Sequence, residues 1–126
     1  MSHISKMELK INDLQSLIAA TKAIGMQFNE GQTKHQYWNG KMSSCDHAIS
    51  APGSKHEIGV VREKDGTYGL NWDASYNDLA KVVGVGASKL KQEYGFAVAA
   101  KAAKRDGWRP VNKRYEDKKL KFAFVK

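Results

Sequence analysis

Hydrophobic and polar residues alternate near the start of the chain, with Met7, Leu9 and Ile11 set between Glu8, Lys10 and Asn12. This period of two predicts a strand with one buried face. The period then lengthens. Leu14, Leu17, Ile18, Thr21 and Ile24 fall on one helical stripe, Asp13 or Asn12 can cap its first turn, and Gly25 can end it in the left-handed conformation. Shorter runs follow. Met26 to Asn29, Gln36 to Trp38 and His47 to Ser50 read as short strands separated by turns at Gly31 and Gly40.

From Glu57 onward the pattern sharpens, as Ile58, Val60 and Val61 lead through Lys64-Asp65-Gly66 into Tyr68, Leu70 and Trp72. Asp-Gly between apolar runs predicts a hairpin with positive φ at both turn residues. A short helix is expected from Tyr76 to Val83, broken by Gly84 and Gly86. Ser88 then caps a longer helix with Leu90, Tyr94, Ala97, Val98 and Ala102 inward, ending at Gly107. The closing segment reads as a hairpin of Trp108 to Tyr115 and Lys119 to Val125, turning at Asp117-Lys118. Alternation places Val111 and Tyr115 with Leu120 and Phe124 inside, Arg114 opposite Lys121 outside, and Trp108, Phe122 and Phe124 in the core. The expected class is α+β: one domain over residues 1–126, a mainly antiparallel sheet covered by two main helices, in the order β-α-β(several)-α-β-β.

Charge adds an asymmetry to this frame. Residues 101–126 hold ten Lys and Arg against three acidic residues, which is +7 of the chain's +8. A basic lobe on a near-neutral body points to an anionic partner. A lone cysteine, Cys45, excludes an intramolecular disulfide, and no segment at the start reads as a secretory leader. The longest apolar stretches, Val82 to Ala87 and Phe96 to Ala100, fall far short of the roughly 20 residues that span a bilayer. The expected setting is soluble, reducing and cytoplasmic.

Several short segments together resemble a known family. They are Met1-Ser2-His3-Ile4-Ser5-Lys6, Asp13-Leu14-Gln15-Ser16-Leu17, Glu57-Ile58-Gly59, Asp65-Gly66-Thr67-Tyr68, and Gln92-Glu93-Tyr94 leading into Gly107-Trp108. Spread over nearly the whole chain, they look like the plastid and cyanobacterial family called hypothetical chloroplast reading frame thirty-five, which phages also carry. Trp38-Asn39 stands where that family tends to have a plainer Gly-rich turn, and Lys118-Lys119-Leu120-Lys121 is more basic than its closing strand. The family is a domain of unknown function, so the resemblance implies a fold and a cytosolic, plastid-stromal or phage-infected-cell setting, and no mechanism.

Candidate chemistry centres on the basic lobe. Lys101, Lys104 and Arg105 share a helical face by their i, i+3, i+4 spacing, and Arg109, Lys113, Arg114 and Lys121 continue the set through the hairpin. Interleaved with Trp108, they offer cations for phosphate and a ring for bases. Cations in a last helical turn and lysines on an edge strand also have structural uses. Tyr37 and Trp38, beside Lys41, form a second aromatic contact candidate, against the alternative that they complete a core. His35 and Tyr37 share a strand face, with Trp38 on the other.

Other motifs carry less. Gly84-Val85-Gly86-Ala87-Ser88-Lys89 could surround a phosphate but lacks the spacing of a nucleotide loop, and a helix-to-helix turn explains it equally. Cys45, His47, His35 and His56 do not have metal-ligand spacing, so no metal or cofactor is expected. With no paired carboxylates or nucleophile motif, the expected protein is a non-catalytic binder of nucleic acid or a phosphorylated nucleotide. The alternative is an adaptor or inhibitor docking on an acidic protein, with self-association through a sheet edge open to either.

Overall fold

The computed structural model describes residues 5, 6, 9–38, 41–73, 77–84 and 87–126. Its centre is a five-stranded antiparallel sheet. The strands are β1 (Ser5–Lys6), β2 (Gln27–Asn29), β5 (His47–Ser50), β6 (Glu57–Arg62) and β7 (Tyr68–Trp72), in the spatial order β1-β7-β6-β5-β2. Two hairpins stand apart from it: β3 (Lys34–Trp38) with β4 (Lys41–Ser44), and β8 (Arg109–Glu116) with β9 (Lys119–Val125). The helices are α1 (Leu14–Ala23), α2 (Asn77–Val83) and α3 (Ser88–Arg105). The α+β class and the expected order of elements hold. Met7, Gly40, Tyr76 and Gly86 lie outside the described residues.

The sheet's two faces follow from alternation. Ile49 pairs with Ile58 and Val60 with Leu70, and all four side chains are fully buried in a cluster with Leu17 of α1, Leu79 and Val83 of α2, and Leu90 and Tyr94 of α3. Each such burial contributes roughly 1.5–3 kcal/mol. On the opposite face Gly59 receives the His35 ring, which is fully buried, so the β3–β4 hairpin crosses the back of the sheet. A Cβ on Gly59 would lie 2.5 Å from His35 Nε2. Only glycine admits this approach.

Local chemistry sets the ends of α1. The Asp13 carboxylate accepts from Ser16 N at 3.3 Å, while Gly25 takes φ of 78° and its N–H donates to Lys22 O. Tyr94 ties this end to α3, since its hydroxyl accepts from Asn12 N and Asp13 N and donates to Asn12 Oδ1. Both caps match the sequence reading. The first strand does not, because Leu9 and Lys10 leave the ladder and only Ile11 returns, bridging Tyr68. Leu9 still packs on the core.

Four further expectations are corrected. The turn after β6 places only Gly66 at positive φ: Gly66 N donates to Glu63 O, and Asp65 instead accepts from the Thr67 backbone and hydroxyl. Ala87, in the left-handed region at φ 62°, precedes α3, and Ser88 is the first helical residue without capping it. The buried stripe of α3 is Leu90, Glu93 and Tyr94, leaving Val98 and Ala102 exposed. Past Tyr94 the helix faces the alanines of α1 and the C-terminal hairpin rather than the sheet. Finally, β4 was missed altogether, since Lys41–Ser44 is largely polar and gains its pairing from β3 rather than from a buried face.

Candidate functional site

The basic lobe is a folded arm. Asp117 and Lys118, at φ 49° and 64°, form the two-residue turn that joins β8 to β9, and Arg114 lies opposite Lys121 as expected. Phe122 packs edge-on against Phe96 of α3, with ring centroids 4.8 Å apart, and Phe124 against Phe122. Gln92 of α3 clamps the tip by donating to Lys118 O and accepting from Leu120 N. The hairpin thus lies against α3, outside the central sheet.

A bulge changes which side chains face that helix. Asn112 takes φ 56°, and the register slips by one residue between the pairs Val111↔Ala123 and Arg114↔Lys121. One extra residue reverses the alternation of a strand. Val111 therefore joins Ala123 on the face away from Leu120, Phe122 and Phe124, contrary to the inward position expected for it. Lys113 turns inward, its ammonium 4.5 Å from the centre of the Phe96 ring.

Beneath the arm lies Glu93, 3% exposed. Its carboxylate accepts from Lys113 Nζ at 2.7 Å and from the Tyr115 hydroxyl at 2.5 Å. Burial, and then the hydrogen bond to that carboxylate, push the Tyr115 phenol well above its ordinary range. Lys101 bridges to Asp13 at 2.9 Å, and that bond holds the Asp13 carboxyl below its usual range. Arg114 Nε donates to Glu116 at 2.5 Å and its guanidinium also reaches Asn112 O, while Lys121 Nζ lies 3.6 Å from the same Glu116. The Glu116 carboxyl is lowered in turn, first by Arg114. Four of the seven anticipated anion contacts therefore enter ion pairs within the chain, Arg114 and Lys121 sharing one carboxylate.

Lys104, Arg105 and Arg109 are exposed and enter no ion pair among the described residues. They flank Trp108 along the chain, and its side chain is 40% exposed rather than in the core. Lys126 reaches across from the end of β9 to lie 5.5 Å from the Trp108 ring centre. Four cations and one open indole thus gather where α3 hands over to the hairpin. Sequence reasoning missed Lys126, because only the pairing of Arg109 with Val125 brings it beside Trp108.

The second aromatic candidate separates. Tyr37 is half-buried with its ring 6.1 Å from that of buried His35, which makes it part of the packing behind the sheet, but it sits at a register shift between the pairs Gln36↔Met42 and Trp38↔Lys41 that interrupts the alternation expected along this strand. The side chain of Trp38 is outside the described residues. Cys45 donates from Sγ to Gln32 O, and burial pushes its thiol up to about 11, so it stays protonated near neutral pH. His47 accepts from Gly31 N and lies between the Phe28 and Tyr68 rings, tilted against both. Among the described residues no three His, Cys, Asp or Glu side chains are grouped to hold a metal ion, and no helix is long and apolar enough to cross a membrane. No protein-family model, curated protein or solved structure matches the chain.

Proposed function

We propose that this protein is a non-catalytic binder of single-stranded nucleic acid, gripping the strand where α3 meets the C-terminal hairpin. One observation carries the reading: among the described residues Lys104, Arg105, Arg109 and Lys126 enter no ion pair, the first three flank the exposed Trp108 along the chain, and Lys126 lies over its ring. Unpaired cations neutralise phosphates at no loss of an internal bond, and an open indole stacks any base. Lys113, Arg114 and Lys121 instead pair within the arm or with the helix beneath it, and Lys101 ties α3 to Asp13. Kinship with the hypothetical chloroplast reading frame thirty-five family, and a cytosolic, stromal or phage-infected-cell setting, belong to this proposal; the short motifs spread along the chain support them.

The test is fluorescence anisotropy of labelled single- and double-stranded DNA and RNA at two salt concentrations. Four contacted phosphates predict a log-log salt slope of about −3 on single strands. Lys104→Glu with Arg109→Glu abolishes binding, and Trp108→Ala weakens it by about 1–3 kcal/mol per stacked base. Lys101→Gln leaves it unchanged. Absence of binding at low salt, or equal losses from paired and unpaired cations, defeats the reading.

A further inference from the structure

At the opposite end of the arm lies a cavity of about 480 Å³, lined by Ala80 and Gly84, Ser88 and Lys89, and Tyr115 and Lys118 of the hairpin. We infer that this cavity is a second binding site, for a phosphomonoester carried on an aromatic or heterocyclic ring. Its size falls within the range of small-molecule sites, which are mostly apolar with a few convergent polar groups. The apolar wall is made by Ala80, Gly84 and the Tyr115 ring, the polar groups by Ser88, Lys89 and Lys118.

The frame is held by hydrogen bonds, while the ammonium groups of Lys89 and Lys118 enter no ion pair among the described residues. Tyr115 is anchored through its hydroxyl to Glu93, and the Lys118 backbone is held by Gln92. Lys89 Nζ lies 5.4 Å from the centre of the Tyr115 ring, so an anion drawn to that ammonium brings whatever it carries against the aromatic face. Two lysines from separate elements suit a dianion such as a phosphomonoester, with one charge more than a single carboxylate offers, and a lysine ammonium binds phosphate as a point charge. A ring fits the remaining space because Ala80 and Gly84 keep the floor low; a Cβ on Gly84 would lie 2.6 Å from Ser88 Oγ.

This site is separate from the Trp108 cluster, and its test keeps the two apart. Isothermal titration of adenosine monophosphate, phenyl phosphate and inorganic phosphate into the full chain should show both aromatic phosphates binding, with inorganic phosphate about tenfold weaker or more for want of stacking. Lys89→Gln combined with Lys118→Asn should lose at least about tenfold, asparagine being chosen because it tolerates the positive φ of that turn position. Ala80→Leu fills the floor without changing charge and should lose as much. Lys104→Gln with Arg109→Gln should leave the affinity unchanged. The phosphate could come from a free nucleotide or a strand terminus: tighter binding of 5′-phosphorylated than unphosphorylated oligothymidine identifies the terminus, and equal binding identifies the free nucleotide. No binding of either aromatic phosphate up to about 1 mM, or wild-type affinity in Ala80→Leu, overturns the inference.

Discussion

Replacing Lys113 by methionine strands a buried carboxylate. Glu93 is 3% exposed and fixed on the buried face of α3, so without the ammonium its charge keeps, among the described residues, only the Tyr115 hydroxyl. Removing one partner of a buried pair costs about 3–5 kcal/mol when the other charge has no escape. The Lys113 side chain is 36% exposed, so solvent already screens the pair, and about 2–3 kcal/mol is the better expectation. Methionine retains the apolar stem over Phe96, which isolates the charge from the packing. Glu93→Gln should cost less, about 1 kcal/mol, because the amide oxygen still accepts from Tyr115 and Lys113 can swing into water. The double variant should be less destabilised than the sum of the singles by about 1–2 kcal/mol. Urea unfolding followed by far-ultraviolet circular dichroism measures all three. If Lys113→Met costs no more than Glu93→Gln, or if the two effects add, Glu93 is not the buried charge on which the arm is pinned.

Two further predictions concern the back of the sheet. Gly59→Ala should destabilise by about 1–3 kcal/mol, because its methyl meets the His35 ring; in a His35→Ser background the cost should largely vanish, as denaturant titration would show. Burial holds the His35 imidazole below its ordinary pKa, against the opposing bond to Glu57 O, so the folded chain keeps the ring neutral where the unfolded chain takes up a proton. Stability should therefore fall as pH drops below about 6.5, by up to about 1.4 kcal/mol per unit until the folded pKa is reached. Thermal melts of wild type and His35→Gln across that window would differ in slope if this holds and run parallel if it does not.

Much of the frame was legible in the chain because its signals are local. Caps at Asp13 and Gly25, the β6–β7 hairpin and the Asp117-Lys118 turn depend on residues a few positions apart. What escaped depends on distance or on a single inserted residue. Lys101 and Asp13 are 88 positions apart, and nothing in either neighbourhood announces their bond. The bulge at Asn112 shifted one face of β8 by a residue, turning Val111 outward, and period-two reasoning has no means to see it. Glu93 did leave a trace: it sits between Leu90 and Tyr94 at helical spacing, where a carboxylate on a buried face demands a cation. The open Trp108 ran against the tendency of large aromatics to be buried, and only its place at the junction explains it.

The last residue of the central hydrophobic cluster is Tyr94. Everything from Arg109 onward rests on α3 as a lid rests on a rim. The basic arm can therefore change its charge, its bulge or its tip with little disturbance to the cluster below, provided Glu93, Phe96 and Gln92 keep their holds. A scaffold so divided lets the basic arm diverge faster than the part that keeps the chain folded.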